Sequence, residues 1–398
     1  MRWVKARFDL SPAVRLICFA ALLALLGVVP SPARSAPSLN SYVAGSDMRS
    51  VSLAPDGRHA AVVRRFSKDS FLLNVIDISG ESRVIFSLKD DPDMAIIGVR
   101  WVSNTRLVMT IFGRTKISGT DYPYTRMIAM DADGSNQQPL MTEERELRLN
   151  LFLSNILSTL PQDNAHILAL GYDNGPAIYK VDVYSGAAEQ VAKGNSQTIG
   201  WRFGDRGEAK LRIDYSKFSR VLKIYAPEGR RWKRILKIRT SDEEEDAIKN
   251  RAGLDDSGQV LLLDRKAGSD FIGLHVYDLN SRQLMRTIFE ADGYDIDDTI
   301  EHPQTGEVIG VTYISDRPQQ VYFDPKLQRV QAELERQFPN GIVSIIASSD
   351  NLRKHLFYTE APWRPGSYYI YDAVAPGLLL LGHAVPDFGD RPYTAEVV

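Results

Sequence analysis

The sequence predicts an all-β protein, a seven-bladed β-propeller of four-stranded antiparallel blades with one short inserted helix. Three observations support this prediction: a turn built on Gly or Asn recurs seven times, apolar and polar residues alternate after each turn, and one spacing runs through the chain. A spacing near 50 residues is typical of propeller blades. A pair of β-sandwiches would not explain a single period over the whole chain.

The repeated turn precedes an apolar strand in every unit. Its central residue is Gly or Asn each time, and these residues adopt the positive φ of tight turns at the lowest cost. The mean spacing is about 49 residues, and six or eight blades would also fit because the long interval from Asn104 to Asn164 has room for an insertion. The seven turn residues are Gly57, Asn104, Asn164, Gly207, Gly258, Gly306 and Asn351.

Each unit continues with a strand that ends at an aspartate, followed by another turn and a further strand. Apolar and polar side chains alternate along these runs, as in an antiparallel strand with one buried face. The aspartates that end these strands are Asp77, Asp182, Asp278 and Asp372.

One helix is predicted between the last two turns. Asp324 supplies the N-cap and Pro325 the first-turn proline, while Pro339-Asn340-Gly341 ends the helix. An apolar stripe along it predicts packing onto the propeller rather than a cofactor site. The stripe consists of Leu327, Val330, Leu334 and Phe338.

Residues 1–35 have the pattern of a secretory signal peptide. A basic start precedes the apolar run 16–29, and small residues at Ala33 and Ser35 suit cleavage near Ser35. As a helix, the run spans about 21 Å, short of the ~30 Å that a membrane anchor must cross. We therefore expect export to the periplasm or medium, no membrane span after cleavage, and one propeller domain over 36–398 with blades of about 49–52 residues.

The only cysteine, Cys18, lies inside the predicted signal peptide. The mature chain would therefore contain neither a catalytic thiol nor a disulfide, and its stability would depend on packing alone.

Short motifs follow one another in a recognisable order. They are Pro55-Asp56-Gly57-Arg58, Trp101-Val102-Ser103, Leu160-Pro161, Tyr179-Lys180-Val181-Asp182-Val183, Gly310-Val311-Thr312-Tyr313, Ser348-Ser349-Asp350 and Pro365-Gly366-Ser367-Tyr368-Tyr369-Ile370-Tyr371-Asp372. Their order resembles the N-terminal propeller of exported bacterial prolyl oligopeptidase-type (S9) serine peptidases over roughly residues 40–395. The turn motifs also occur in propellers of the TolB type.

The resemblance implies a propeller that in this family precedes an α/β-hydrolase domain with a G-x-S-x-G serine, an Asp and a His. The present sequence stops at Val398, about where the linker into that domain would begin. We therefore expect a counterpart of the non-catalytic half of these peptidases.

No catalytic, cofactor or metal site is predicted. G-x-S-x-G does not occur in the sequence, and the nearest strings, at Gly45, Gly194 and Gly268, lack the second glycine. The histidines show no zinc spacing, and three of them, His59, His166 and His355, follow the repeated turn at equivalent positions, which indicates a structural role. The six histidines are His59, His166, His275, His302, His355 and His383.

Carboxylate clusters at 242–246 and 292–298 are interpreted as solvated loops. Calcium favours oxygen-rich loops, but Asp131-Ala132-Asp133-Gly134 has its glycine too early and lacks the terminal glutamate of a calcium loop. The basic run 230–234 is interpreted as the surface of a hairpin, and a net charge of −2 offers no footprint for nucleic acid.

Three functions remain open. The first is an exported, non-catalytic module that binds a peptide or protein through a propeller face or the channel. The second is a truncated or split peptidase whose hydrolase domain is missing or on another chain, and the third is a TolB-like envelope scaffold. Enzymatic activity is not expected of this chain alone.

Overall fold

The computed structural model describes residues 47–204, 206–229, 231–239, 252–281, 283–302, 305–361 and 364–385. The predicted signal peptide at 1–35 and the acidic run 242–246 lie outside these residues. Within them the chain forms seven antiparallel sheets, one after another along the sequence. This confirms a propeller with seven blades. No helix in these ranges is both long enough and apolar enough to cross a bilayer.

Six of the blades have four strands paired in chain order. The first strand lies at the axis and the fourth is the exposed outer edge, as the burial of β1 and the exposure of β4 show. Blades 1 to 3 consist of β1 (Met48–Leu53), β2 (His59–Ser67), β3 (Ser70–Asp77), β4 (Ser82–Leu88); β5 (Ala95–Trp101), β6 (Arg106–Ile117), β7 (Thr120–Asp131), β8 (Gln138–Pro139); and β9 (Ile156–Ser158), β10 (His166–Tyr172), β11 (Pro176–Asp182), β12 (Ala188–Lys193). Blades 4, 5 and 7 consist of β13 (Thr198–Phe203), β14 (Ala209–Ser216), β15 (Val221–Glu228), β16 (Arg231–Arg239); β17 (Ala252–Leu254), β18 (Val260–Asp264), β19 (Gly273–Asp278), β20 (Gln283–Phe289); and β24 (Ile342–Ser348), β25 (Lys354–Ala361), β26 (Arg364–Asp372), β27 (Gly377–His383). A 3₁₀ turn, Arg145–Leu147, lies between blades 2 and 3.

Blade 6 departs from the predicted four strands. It contains β21 (Ile296–Glu301), β22 (Val308–Ile314) and β23 (Pro318–Tyr322), and the chain then enters helix α1 (Pro325–Gln337). The helix begins as predicted, because the Asp324 carboxylate accepts a hydrogen bond from Lys326 N at 2.6 Å. Its apolar stripe packs on β24 and β25 of blade 7, so the helix continues the packing where a fourth strand is missing.

Seven apolar clusters hold the ring together: six lie between neighbouring blades, and the seventh joins α1, which follows blade 6, to blade 7. Between blades 1 and 2, for example, Leu73 packs against Trp101 and Leu107. Both faces of each sheet are therefore buried, which accounts for the apolar second and third strands. Such burial is the main stabilising contribution in a chain that lacks cross-links.

Within the residues that the structure describes, blades 1 and 7 meet by packing and not by a shared sheet. The strands of blade 1 and of blade 7 come from separate, continuous stretches of chain. Asp47 N donates to Ala384 O at 2.9 Å and Asp350 N to Pro55 O at 2.8 Å across this junction. Leu356 and Leu381 of blade 7 complete the contact by packing against blade 1.

The repeated turn joins the first and second strands of each blade. Positive φ is found where it is predicted at glycine, for instance +72° at Gly57 and +81° at Gly207. It is absent at Asn104, Asn164 and Asn351, so the prediction is wrong there. At two of these turns the amide side chain acts instead: Asn351 Oδ1 accepts from Arg353 N at 3.0 Å, and Asn104 Oδ1 from Asp56 N of blade 1 at 2.9 Å.

The aspartates predicted to end strands do so, and their carboxylates shape the next turn. Asp77, Asp182, Asp278 and Asp372 are the last residues of β3, β11, β19 and β26. Each accepts a hydrogen bond from the amide two residues ahead, at 2.8, 2.7, 3.2 and 2.9 Å respectively. These are Asx turns, in which the side chain replaces a backbone acceptor.

Candidate binding site in the central channel

The innermost strand of six blades contains a β-bulge. One residue in each strand has no partner on the second strand, and a bulge of this kind bends the strand and re-aims its side chains. Two bulge residues, Leu157 and Ile199, line a cavity in the channel. The six bulge residues are Arg49, Ile97, Leu157, Ile199, Asp297 and Ile346.

This cavity, which we call the channel cavity, has a volume of about 360 Å³. Its walls are the innermost strands of blades 2, 3, 4 and 6 together with the repeated turn of blade 6. Its apolar lining includes Ile156, Leu170 and Phe203, while Arg100, Arg202 and Glu301 supply charge. The volume lies in the range of small-ligand sites, and the lining combines apolar residues with polar and charged ones.

An ion pair joins two blades that are not neighbours. Arg202 Nη2 of blade 4 lies 3.1 Å from Glu301 Oε1 of blade 6, and the side chains are 8% and 35% exposed. Glu301 thus faces the cavity with its charge already balanced.

Arg100 presents the other guanidinium of the cavity. Its Nη1 donates to Ile156 O of blade 3 at 3.1 Å, which orients the group along the wall. The side chain keeps solvent-accessible area in the cavity, yet protein surrounds it, and this desolvation lowers the pKa of Arg100. An arginine remains charged after such a shift, since its pKa starts above 12.

Trp201 borders the channel cavity, but its indole nitrogen is buried, and the residue belongs to the apolar cluster between blades 3 and 4. The residue is 7% exposed, lines the channel cavity, and its Nε1 has no hydrogen-bond partner among the described residues. In the interface between blades 1 and 2, by contrast, Trp101 Nε1 donates to Ser52 O at 3.1 Å. A buried indole N–H normally has a partner, and leaving it without one costs about 1–3 kcal/mol.

His302 lies at the turn end of the cavity. Burial lowers the pKa of His302, although Asp350 acts in the opposite direction, so the imidazole is neutral at pH 7. Its Nδ1 accepts from Thr305 N at 3.3 Å, which holds the ring against the turn of blade 6. The cavity therefore carries the charges of two arginines and one glutamate.

The other histidines have structural contacts. His59 and His166 open β2 and β10 and face Asp77 and Asp182, as their predicted equivalence requires. His355 does not share this position, because Lys354 is the residue opposite Asp372. The predicted equivalence of His355 is therefore wrong by one residue, which places its ring on the opposite face of the strand.

A serine and a histidine do meet in blade 7. Ser348 Oγ lies 2.8 Å from His355 Nδ1, and His355 Nε2 lies 3.0 Å from Leu352 O, so the ring can accept from the serine and donate to the carbonyl. His355 has no exposed area, however, and burial lowers the pKa of its imidazole. A substrate has no access to this pair, whose contacts satisfy buried polar groups.

The basic run singled out in the sequence lies on the outside, whereas the acidic run 292–298 ends in β21, the innermost strand of blade 6, so its interpretation as a solvated loop is wrong for Asp297 and Asp298. Arg231–Arg239 is strand β16, the outer strand of the predicted hairpin, and Arg230 is not among the described residues. Asp295 accepts from Ile272 N at 2.6 Å and lies 3.4 Å from Arg265, so its carboxylate fixes a loop. Over the described ranges, no group of three or more His, Cys, Asp or Glu side chains is arranged to hold a metal ion.

The sequence did not point to the residues that line the channel cavity. Arg100, Trp201, Arg202 and Glu301 belong to no motif. A weak signal was present, since arginine in an apolar inner strand, as in Trp201-Arg202-Phe203, needs an acidic partner elsewhere.

Comparison with known proteins gives structural matches only. No family model matches the sequence, and neither does any curated protein. Prolyl oligopeptidase B from Galerina marginata is 12% identical over 85% of this chain and 50% of its own, with a TM-score of 0.54. A prolyl endopeptidase is 11% identical over 93% of this chain and 55% of its own, with a TM-score of 0.50. The β-propeller domain of the Trilobed protease from Pyrococcus furiosus is 11% identical over 86% and 99%, with a TM-score of 0.49.

The chain spans about half the length of the two prolyl peptidases. At these identities the likeness establishes the fold alone. The resemblance found in the sequence is confirmed at that level: the structural neighbours carry the propellers of prolyl oligopeptidase-type peptidases, and this chain is a seven-bladed propeller.

Proposed function

We propose that this chain is an exported, non-catalytic binding module that holds a peptide or a protein segment in its central channel. The observation that carries the proposal is the channel cavity, in which four blades contribute apolar residues, two arginines and a glutamate. Concave, largely apolar sites with a few oriented polar groups are the usual form of ligand sites.

Two further observations favour binding over chemistry. The sequence contains no G-x-S-x-G elbow, and the Ser348–His355 contact is enclosed. The charged groups that line the channel cavity are arginines and a paired glutamate, which suit recognition rather than nucleophilic attack.

A peptide array tests the proposal. The purified protein is screened against immobilised decapeptides, and affinities are then measured by calorimetry. Ile199→Arg places a charge in the apolar wall of the cavity and should weaken binding at least tenfold. The matched control is Val84→Arg on the outer strand β4, where the side chain is 50% exposed, and it should leave affinity unchanged. Failure to find any peptide ligand, or equal affinities for the two variants, would contradict the proposal.

Export is tested separately. Intact mass measurement of the protein from the periplasm or medium should show a chain that begins near Ala36. A full-length chain in the cytoplasm would contradict this part of the proposal.

A second candidate is the propeller half of a prolyl peptidase whose hydrolase domain lies on another polypeptide. It is favoured by the two structural neighbours with TM-scores of 0.54 and 0.50, both prolyl peptidases about twice as long. Turnover of a fluorogenic acyl-peptide by a complex purified with this chain, and not by the chain alone, would support this candidate. Turnover by the chain alone would contradict the non-catalytic proposal.

A further inference from the structure

We propose that one face of the propeller docks on an anionic lipid bilayer through four exposed apolar side chains that have cations beside them. The four residues are Phe66, Ile117, Leu149 and Phe218. Because every blade repeats the same antiparallel strand order, the turns between second and third strands all lie on one face, which we call the linker face. Docking of this kind goes beyond the proposed peptide binding and does not depend on it.

The linker face also receives the segment that connects blade 2 to blade 3. Leu149 lies in this segment, and its neighbour Asn150 is tied to the end of β10. Asn150 Nδ2 donates to Tyr172 O at 2.9 Å, and Tyr172 N donates to Asn150 Oδ1 at 2.7 Å. Since β10 ends at the turn into β11, Leu149 lies on the same face as the turns of the other blades.

The four side chains protrude from four different places on this face. Phe218, between β14 and β15, is fully exposed, Leu149 is 92% exposed, and Phe66 near the end of β2 is 78% exposed. Ile117 lies at the tip of the β6–β7 hairpin, which remains paired beyond Phe112, where the pairing with β5 ends. Single exposed apolar residues are common on proteins, so these four are distinguished by their shared face and by the charges beside them.

The neighbouring charges separate this group from the other exposed apolar residues at turns. Each of the four has a lysine or arginine within two positions and no acidic residue within that distance. The neighbouring cations include the exposed side chains of Lys68, Lys116, Arg148 and Lys217. By contrast, an aspartate lies within two positions of every exposed apolar residue at the turns of blades 3, 5 and 6 and on the opposite face, namely Tyr172, Phe271, Ile314, Ile78, Tyr184, Leu279 and Val374.

A lipid surface fits this arrangement better than a folded protein does. A protein partner would need a separate pocket for each of the four side chains, whereas a fluid bilayer takes up separate side chains at the boundary between headgroups and acyl chains. Apolar side chains at this depth with lysine and arginine at headgroup level are the composition of interfacial membrane binders. The cations select anionic lipids, which attract basic residues close to the surface. Export, as proposed above, would bring the chain to the outer surface of the cytoplasmic membrane.

Vesicle co-sedimentation tests the docking. We expect the purified protein to bind vesicles of equal parts phosphatidylcholine and phosphatidylglycerol, and to bind pure phosphatidylcholine about tenfold more weakly. Phe218→Ser should weaken binding to the anionic vesicles about tenfold. Val374→Ser is its matched control, because Val374 is 66% exposed on the opposite face.

The contribution of charge is tested at the tip of the hairpin. Lys116→Glu should weaken binding to the anionic vesicles about fivefold. Arg83→Glu makes the same change of charge on the outer strand β4 and should leave binding unchanged.

A fluorophore identifies the face that meets the lipid. In a Cys18→Ser background, Phe218→Cys and Val374→Cys each supply one thiol for labelling with nitrobenzoxadiazole, because Cys18 is the only cysteine in the sequence. Anionic vesicles should shift the emission to shorter wavelength at position 218 and leave it in place at position 374.

The inference would be overturned by absence of binding to the anionic vesicles, by equal binding of Phe218→Ser and Val374→Ser, or by equal emission shifts at the two labelled positions. Equal affinity for the two kinds of vesicle would contradict the selection of anionic lipid. A dimer that Phe218→Ser dissociates, together with no vesicle binding, would assign the linker face to a second copy of the chain. Peptide affinity should be the same in Phe218→Ser and wild type, so docking and peptide binding fail separately.

Discussion

Replacing Leu356 by alanine tests whether apolar packing alone holds blades 1 and 7 together. Leu356 has no exposed area and lies in the cluster between blades 7 and 1, which also contains Leu53. Truncating a buried leucine costs about 2–5 kcal/mol because transfer energy is lost and a cavity remains. Every other pair of neighbouring blades is also tied by a linker of the chain, and this pair is not. We therefore expect the lost energy to appear partly as local separation of blades 1 and 7.

Amide hydrogen exchange measures that separation at two positions. Asp47 N and Asp350 N donate across the junction, at 2.9 and 2.8 Å, so their protection depends on its remaining closed. A loss of about 3 kcal/mol that is expressed locally would speed their exchange roughly hundredfold. The matched control is Leu73→Ala, which truncates an equally buried leucine between blades 1 and 2.

Both variants should lose a similar free energy of unfolding in urea denaturation. Only Leu356→Ala should accelerate the exchange of the Asp47 and Asp350 amides beyond that of the interior strands. Equal exchange of these amides in the two variants would show that the ring opens only when the whole domain unfolds, and the reasoning would then be refuted.

Three further predictions concern single contacts. Glu301→Gln removes the partner charge of the nearly buried Arg202, and we expect urea denaturation to show a loss of about 1–3 kcal/mol, with an unchanged value arguing against an ion pair in the channel. Burial opposes ionisation of the Asp163 carboxyl group, but hydrogen bonds, of which that from His166 is the strongest, lower its pKa to about 2. The ionised carboxylate therefore stabilises the fold fully above the unfolded pKa near 4, and this stabilisation is lost as the pH falls toward 2. The stability difference between wild type and Asp163→Asn should shrink between pH 5 and about 2, and a difference that stays constant with pH would contradict this assignment. Asp324→Ala removes the N-cap of α1 and should lower the free energy of unfolding by about 1 kcal/mol, measured as a lower Tm; no change would mean that packing on blade 7 alone holds the helix.

Local signals accounted for most of the fold. The turn at Gly57 and its counterparts, the strand-ending Asp77 and the cap at Asp324 each act through residues within a few positions, so a short stretch of sequence predicts them. The fourth strand of blade 6 was predicted from the period and not from its own residues. There the sequence 325–337 has the apolar stripe of a helix, and this local preference prevailed over the repeat.

The channel could not be predicted in the same way. Arg202 and Glu301 lie on different blades, and their contact depends on how blades 4 to 6 curve around the axis. Whether Trp201 Nε1 finds an acceptor likewise depends on the groups that neighbouring strands place near it, and no motif around Trp201 shows this. The one-residue error at His355 has a local cause: β25 begins three residues after Asn351, whereas β2 and β10 begin two residues after Gly57 and Asn164.

Because no strand of the described chain is shared between blades 1 and 7, the pairing of strands within the blades does not depend on where the chain starts. Each sheet is one uninterrupted stretch of sequence, and Asp47 is hydrogen-bonded to Ala384 on the far side of the junction. A circular permutant that joins these two positions by a short linker and opens between β4 and β5 would keep all seven sheets with every strand pairing intact. For the same reason, a whole blade is the unit that can be added to such a protein, removed from it, or replaced by the blade of a relative.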